Sequence, residues 1–558
     1  MNARTSGPIT DRIAELPSWL LWFLLFVCVA LAHLTLLRLP YYWDEGGYYI
    51  PAALDFYHHG WIIPQFTNAH PPLPNILLGT LWHIVGLHIL ATRLAVCAVA
   101  AAALTAIFRL AQRLLDSPAA ISLTLMIAVY PIWFAQSTLA HADIFAAAFT
   151  VWAFAVYLPA TSSQLPTGTE HNQRRNRIAV AVLFSLAALS KETAIVEPAA
   201  LIAIEAGRFI DQRRSPTERC ERVRWIAALA VPFLPLIAWY AYHRARTGFI
   251  FGNPVYLRYN ATANFTAAHI LTSLRYRFLH LVWQRNIWLP ILLAVACLLL
   301  SSRPRNQVQP LTTTTRLTCA LLILANWIAF SVLGGALLTR YLLPVYPIIL
   351  LLCVDTWRER TAWLPWLTAA TAAMFLTGLW INPPTAFAPE DTLVYRDMIV
   401  VHQEAIAFLN QHYPDATVLT AWPVSNDLAN PELGYTSRRI RVTPVEDFSL
   451  AEIQKAAEHP ENFDTAIVFT THYVAPSLQR YILSHPASRI GRAFTTNPDL
   501  SPSEIAALLH GQIVWRSPDL DGEWAVVLRF NRSYEAKAAQ PDSQLSALAS
   551  SGLVPQKR

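Results

Sequence analysis

The sequence predicts an α-helical polytopic membrane protein of about 11 transmembrane helices, followed by a small C-terminal extracytoplasmic α/β domain. Hydrophobic residues make up 54% of the 558 residues and charged residues only 14%, whereas soluble proteins carry about a quarter charged residues. Apolar segments that can cross a hydrocarbon core of about 30 Å recur up to residue 381. After residue 381, strand and helix patterns alternate as in a soluble domain.

This composition nearly excludes a soluble enzyme of several domains. The net charge of +6 does not indicate a nucleic-acid partner, because membrane proteins collect basic residues in their cytoplasmic loops.

The transmembrane domain is predicted over residues 19–381, after a cytoplasmic N-terminus at 1–18. The first span, 19–39, is too long for a typical cleaved signal peptide and lacks a small-residue cleavage site, so we interpret it as a permanent anchor. The ten further predicted spans are 90–112, 118–136, 141–158, 178–190, 194–209, 225–243, 287–301, 317–337, 341–356 and 362–381.

The orientation depends on residues 178–210, which could form one long helix or a hairpin. Arginine-rich loops at 174–177 and 208–224 flank this segment, and the positive-inside rule places both in the cytoplasm only if the segment is a hairpin. The polar triplet Ser190-Lys191-Glu192 and Pro198 also favour a break. This topology puts loop 40–89, loop 244–286 and everything after residue 381 outside.

The outer loop 244–286 is unusually basic, and Arg258 is one of its six arginines. An anionic headgroup or phosphate would explain such a loop on the outer face. The alternative is that translocated loops tolerate arginine once the flanking helices fix the orientation.

The extracytoplasmic α/β domain is predicted over 382–532. The patterns indicate a helix from Tyr395 to His412, strands at 416–421, 464–470, 512–516 and 524–530, and a helical stretch at 449–458. A glycine-rich phosphate loop is missing from the sequence, so we expect no nucleotide binding. Residues 533–558 are predicted to be a disordered tail.

Asp44 and Glu45 are adjacent carboxylates that directly follow the first span, within a run of aromatic residues. Burial and a like-charged neighbour raise a carboxyl pKa, which suits a general base beside a lipid-borne substrate. The alternative is an acidic cap on an interfacial helix running through Ala52 and Phe56.

His70 precedes Pro71 and Pro72, which fix an extended segment and can aim the imidazole at a ligand. It could equally be a structural turn residue. The histidines of this loop permit a divalent cation, but their spacing is not diagnostic of a metal site, and the cofactor stays unknown.

Three further charged residues lie near the outer ends of spans, namely Asp143, Lys191 and Arg340. Lys191 is the only lysine in the first 454 residues. Ionisable residues within spans are costly and mark functional sites by default, although Asp143 could simply be hydrated at the interface. If Asp44 and these three residues meet in one outward cavity, acid and base groups face a phosphate-sized space.

These motifs together resemble the protein O-mannosyltransferase and aminoarabinose transferase superfamily, which are glycosyltransferases of the GT-C fold. The resemblance is carried by the first-loop residues Asp44-Glu45-x-x-Tyr48, by Ala52 and Gly60, and by three further segments. These segments are His70-Pro71-Pro72-Leu73, Leu189-Ser190-Lys191-Glu192-Thr193 and Arg340-Tyr341-Leu342-Leu343-Pro344-Val345-Tyr346-Pro347.

The resemblance implies transfer of a sugar from a polyprenyl-phosphate-linked donor to a protein, lipid or glycan acceptor, on the extracytoplasmic face of the inner membrane. It implies that Asp44 is the catalytic base, that Glu45 helps to position it, and that a single displacement inverts the anomeric centre. The implied substrate-binding residues are His70, Asp143, Lys191, Arg258, Arg340 and Tyr341.

One residue departs from the family pattern. In aminoarabinose transferases a lysine commonly precedes the two prolines, and here His70 stands in that place. Because histidine is a weaker and pH-dependent cation, this departure argues against transfer to a lipid A phosphate.

Two other classes of function compete with a transferase. A transporter or flippase for lipid-linked sugars would carry charged residues near the bilayer midplane and repeat-related halves, whereas here the ionisable residues cluster at outer helix ends and no halves repeat. A non-catalytic scaffold would not need to retain Asp44 and Glu45.

Overall fold

The computed structural model describes residues 12–13, 15–60, 70–162, 170–210, 215–254, 266–301, 308–333, 336–382, 387–471, 481, 484–485, 499–520 and 522–530. Over these residues the chain separates into two compact units. The first runs to Val400 and includes Glu432–Gly434, and the second contains most of the residues after Val400.

The first unit is helical. Its helices are α1 (Ser18–Ala32), α2 (Ile50–His59), α3 (Leu73–Val85), α4 (Ile89–Leu114), α5 (Ser117–Val129), α6 (Pro131–Gln136), α7 (Ala142–Thr161), α8 (Glu170–Ser190), α9 (Val196–Ile210), α10 (Pro216–Ala230), α11 (Phe233–Thr247), α12 (Ala267–Val282), α13 (Trp288–Leu300), α14 (Thr313–Leu333), α15 (Val345–Arg360) and α16 (Leu364–Thr377). Helix α17 (Val394–His412) continues from the first unit into the second.

Each predicted span overlaps one of these helices or two consecutive ones. Within the described ranges, four helical segments are long and apolar enough to cross a membrane: Ile89–Leu114, Ala142–Thr161, Pro216–Thr247, which comprises α10 and α11, and Thr313–Leu333. The count becomes five if the sharply bent pair Ala267–Asn286 and Trp288–Leu300 forms one span. The chain is therefore an integral membrane protein, and the total of eleven spans stays a prediction.

The helix predicted to break near Lys191 does so. Helix α8 ends at Ser190, Lys191 has an extended backbone, and a 3₁₀ turn over Glu192–Ile195 leads into α9. Loop 40–89 contains helices α2 and α3, and a π-helical turn over Glu45–Tyr49 precedes α2. The helix suggested through Ala52 and Phe56 is thus present, with Asp44 just before the π-helical turn.

The second unit contains a five-stranded mixed sheet with the order β2-β1-β3-β5-β4. The strands are β1 (Val418–Ala421), β2 (Val442–Val445), β3 (Thr465–Phe469), β4 (Gly511–Arg516) and β5 (Ala525–Phe530). Strand β1 pairs in parallel with β2 and β3, whereas β5 pairs antiparallel with β3 and β4. Its helices are α18 (Val424–Ala429), α19 (Leu450–Ala457) and α20 (Pro502–Leu508).

Two predictions differ from this arrangement. The sequence patterns do not predict strand β2, because its sequence Val-Thr-Pro-Val contains a proline, which argues against a strand except at the edge of a sheet. The second unit begins at Val401, not at residue 382, so residues 387–400 belong to the helical unit. Arg258 and the predicted tail 533–558 lie outside the described residues.

Candidate active site

Arg340 lies at the centre of a buried cluster of carboxylates. Its guanidinium donates to the Asp44 carboxylate and, from Nη1, to Glu390 Oε1 at 2.5 Å. The third partner is Asp143, whose Oδ2 lies 3.5 Å from Arg340 Nε. Burial lowers the pKa of Arg340, but Asp44, Glu390 and Asp143 together raise it well above its ordinary value. The guanidinium therefore stays charged and is shared by three acids.

Lys191 extends the same cluster. Its Nζ donates to Asp143 Oδ1 at 2.6 Å and lies 4.0 Å from the centre of the Tyr341 ring. The extended backbone of Lys191, between α8 and the following 3₁₀ turn, places this lysine at the first turn of α7. The structure thus connects Asp44, Arg340, Asp143 and Lys191 in one chain of contacts.

A cavity opens beside the two cations. Its charged lining residues are Asp143, Lys191, Glu197 and Arg340. Tyr341 and Phe330 add aromatic walls. Asp143 Oδ2 and Arg340 Nε complete no hydrogen bond although both are buried, so a ligand in this cavity would find polar groups that the protein leaves incompletely bonded.

The backbone that presents Asp44 is strained. Trp43, which directly precedes it, has a φ of 40°, in the left-handed region that a bulky residue rarely adopts. The π-helical turn that starts at Glu45 is a second uncommon element, and such turns occur frequently at functional sites. The Asp44 side chain is 15% exposed, which leaves part of the carboxylate open to a reactant.

Glu45 has a different environment from its neighbour. It is fully buried, and its carboxylate accepts from Arg93 Nη1 at 2.6 Å, from the Ala140 amide at 2.6 Å and from the Tyr42 amide at 2.8 Å. Arg93 also donates to the carbonyl oxygens of Thr138 and Pro40, both at 2.7 Å. Glu45 therefore fastens the loop that carries Asp44, and its own oxygens are occupied by the protein.

His70 pairs with Glu192. Its Nδ1 donates to the Glu192 carboxylate at 2.9 Å, and its ring stacks on Tyr49 with 5.6 Å between centroids. His70 thus joins loop 40–89 to the 3₁₀ turn that follows Lys191.

Glu390 contacts Arg340, although the sequence analysis does not identify it as a site residue. It lies in the 3₁₀ turn Pro389–Asp391 and is buried. The pKa of Glu390 is raised to about 7, mainly by burial; Arg340 opposes this increase, and Asp391 and Asp44 contribute to it. The change of composition after residue 381 assigns this segment to the soluble domain, and no local signal connects it with Arg340.

Arg93 and Glu197 are also missing from the predicted site. Both are charged residues inside apolar segments that form α4 and α9. The rarity of charges in such segments is the signal that could have found them.

A metal site is not supported by the described part of the chain, where no three His, Cys, Asp or Glu side chains stand close enough to hold an ion. Arg258, predicted to bind substrate, falls among residues that the structure does not describe.

The fold is that of the GT-C glycosyltransferases. The chain is similar to ArnT from Cupriavidus metallidurans bound to undecaprenyl phosphate, with a TM-score of 0.53 and 14% identity, over 91% of this chain and 98% of ArnT. It is similar to the apo state of the same protein, with a TM-score of 0.52 and 13% identity, over 92% and 98% of the two chains.

The family resemblance inferred from the motifs is confirmed. Residues 69–239 match the family model described as "Dolichyl-phosphate-mannose-protein mannosyltransferase". The matched segment contains His70, Asp143 and Lys191, whereas Asp44 and Arg340 lie outside it. No protein of curated function matches the chain in sequence.

Proposed function

We propose that the protein is a membrane glycosyltransferase that moves a sugar from a polyprenyl-phosphate-linked donor to a protein, lipid or glycan acceptor. One observation carries this proposal: Arg340 bonds to Asp44 and lies beside a cavity that it lines together with Lys191. A carboxylate and a pair of cations are thereby adjacent, as a base and a phosphate leaving group require. The ArnT likeness is consistent with it, since that protein was solved with undecaprenyl phosphate bound.

The reaction is a single displacement. The Asp44 carboxylate takes the proton of the acceptor hydroxyl, and the acceptor oxygen attacks the anomeric carbon from the side opposite the phosphate. The bond between the anomeric carbon and the phosphate oxygen breaks, and polyprenyl phosphate leaves with the electron pair. The anomeric centre is therefore inverted.

Lys191 and Arg340 stabilise the negative charge that develops on the leaving phosphate. A donor phosphate at these cations competes with Asp44 for the Arg340 guanidinium, which frees an Asp44 oxygen to accept the proton. Tyr341 walls the cavity beside Lys191. Glu45 and His70 act as positioning residues, because each holds the first loop through a buried or half-buried contact.

We propose that the active site lies on the extracytoplasmic face of the inner membrane, because the arginine-rich loops at 174–177 and 208–224 favour the cytoplasm by the positive-inside rule. Gly60→Cys in a chain without its native cysteines should react with an impermeant thiol reagent added outside. If the cysteine were labelled only from the cytoplasmic side, the proposed orientation would be wrong.

The decisive experiment compares wild type with Asp44→Asn, as purified full-length protein in lipid. Radiolabelled polyprenyl-phosphate sugars serve as donors, and a cell-envelope extract supplies protein, lipid and glycan acceptors. We expect transfer to fall about 10²- to 10⁴-fold, the usual contribution of a general base. The matched control, Asp55→Asn, makes the same change in the same loop on α2 and should transfer at the wild-type rate.

Two results would contradict the proposal. Transfer by Asp44→Asn near the wild-type rate would remove Asp44 as the base. No turnover with any donor, together with saturable donor binding by both proteins, would favour a transporter or a non-catalytic scaffold.

A further inference from the structure

Glu197 is a buried acid that the proposed reaction does not use. It is the second residue of α9, its side chain is almost fully buried, and its Oε2 has no hydrogen-bond partner among the described residues. Within the same part of the chain it forms no ion pair, although Lys191 and Arg340 line the same cavity. A carboxyl oxygen in such a place is uncommon, because a buried polar atom that completes no hydrogen bond destabilises the folded protein.

Glu197 lines the cavity, so a ligand bound there could be the hydrogen-bond partner of its carboxyl group. The cavity that it lines is otherwise walled by Asp143, Lys191, Arg340 and Tyr341 and by apolar side chains and Thr193. Helix α9 thus presents one carboxyl group to the space in which the two cations would hold the donor phosphate. Buried polar atoms in native proteins are bonded to the protein or to ordered water, so an oxygen without such a bond calls for an explanation, and a bound ligand would supply one.

The chemistry of Glu197 selects among the parts of the donor. The phosphate would be repelled by a carboxylate and is already matched by Lys191 and Arg340. The prenyl chain has no hydrogen-bonding group. A sugar hydroxyl both donates and accepts, so it can bond to the carboxyl group whether this is ionised or protonated.

We propose that Glu197 is a specificity-determining residue that hydrogen-bonds to a hydroxyl group of the donor sugar. This inference rests on the proposed function for the identity of the ligand. Sites that hydrogen-bond a substrate hydroxyl discriminate strongly against analogues that lack it, because the buried group is then left unpaired. Glu197 would therefore separate donors by the sugar and not by the lipid carrier.

Binding measurements with the full-length protein in lipid test this inference without requiring turnover. The two probes are undecaprenyl phosphate and the undecaprenyl-phosphate sugar that wild type binds most tightly in a panel of hexoses and pentoses. We expect Glu197→Leu to weaken binding of the sugar-bearing probe about ten- to a hundredfold, and to leave binding of undecaprenyl phosphate unchanged. Glu197→Gln, which keeps hydrogen-bonding atoms, should stay within about tenfold of wild type.

The matched control is Leu201→Ala, a buried residue of the same helix that does not line the cavity. It reports the effect of a packing defect in α9, and we expect the ratio of the two dissociation constants to match wild type. Thermal unfolding of each variant identifies any that fails to fold, and in that case the Glu197→Gln ratio is compared with wild type for several sugars.

Three outcomes would overturn the inference. Equal loss of both probes in Glu197→Leu would show that the residue supports the phosphate site or the fold. Unchanged binding of both probes would show that the carboxyl group contacts no sugar. If Glu197→Gln lost as much affinity for the sugar-bearing probe as Glu197→Leu, Glu197 would contact a cationic group of the sugar and not a hydroxyl group. A shifted binding ratio in a protein without turnover would instead support Glu197 and refute the transferase proposal.

Discussion

Two buried charge clusters in the helical unit differ in how completely their carboxylates are bonded. Glu205 of α9 is fully buried, and both of its oxygens have partners. Oε1 accepts from Tyr157 at 2.5 Å and from Arg208 at 2.7 Å, and Oε2 accepts from Arg222 at 3.0 Å. Arg208 also donates to Thr318 at 2.5 Å, so one carboxylate links α7, α9, α10 and α14.

The Arg340 cluster has the opposite balance. There, three carboxylates share one guanidinium, two of its polar atoms complete no hydrogen bond, and a cavity lies alongside. Around Glu205, cations outnumber the acid and nothing polar on that acid is left over. Buried charge alone therefore does not mark a site in this protein. The site is marked by buried charge that the protein leaves incompletely bonded next to open space.

The first prediction concerns the Glu205 cluster, in which both carboxylate oxygens have partners. Glu205→Gln removes the charge that holds Arg208 and Arg222, and breaking a buried pair in this way costs about 3 to 5 kcal/mol of folding free energy. We expect a marked fall in the thermal unfolding midpoint, while transfer per folded molecule stays at the wild-type rate below that temperature.

Glu197→Gln is the matched control for stability, because the same change on the same helix removes no ion pair among the described residues. If Glu205→Gln lost transfer without losing stability, the Glu205 cluster would belong to the functional machinery, and complete bonding would not distinguish it from the Arg340 cluster.

The second prediction concerns the Arg340 cluster, where we expect a substitution to reduce transfer. Lys191→Met keeps the length of the side chain and its contact with Tyr341 but removes the cation that binds Asp143. We expect transfer to fall about 10²- to 10³-fold, as when one preorganised group that stabilises a developing anion is removed. The measurement is single-turnover transfer from the radiolabelled donor.

Lys455→Met is its control, since Lys455 is an exposed lysine of α19 in the second unit. Transfer by Lys191→Met within about threefold of wild type would contradict the role of Lys191, because a stabilising group of this kind contributes about 10²-fold or more.

Local sequence signals predicted much of this arrangement. The helix break at Lys191 followed from a polar triplet between two basic loops, and Asp44, Asp143, Lys191 and Arg340 stood out because charge is costly at span ends. The four are far apart in the sequence, so their mutual contacts depend on tertiary packing that no local pattern encodes.

The features that the sequence did not predict also depend on tertiary packing. Glu390 sits in a segment of soluble composition, and only the fold brings it to Arg340. Glu197 and Glu205 look alike in the sequence, as single acids in one amphipathic helix. Their different meanings depend on the presence of Arg208, Arg222 and Tyr157 around one of them and of a cavity beside the other.

The third prediction concerns pH and again separates the two clusters. Because burial raises the pKa of Glu390 from 4.5 to about 7, the folded protein holds a proton there that the unfolded chain has released. The stabilisation is complete below pH 4.5 and is lost as the pH rises to 7, so that the free energy of unfolding falls by about 3 kcal/mol across this window. Glu390→Gln cannot ionise, and its thermal unfolding midpoint should change less between pH 5 and pH 8 than that of wild type.

The exposed Glu404 provides the control, and Glu404→Gln should follow the wild-type pH dependence. If the unfolding midpoint of Glu390→Gln depended on pH as that of wild type does, ionisation of Glu390 would make no contribution to the pH dependence of stability. Arg340 would then balance its acids as fully as Arg208 and Arg222 balance Glu205.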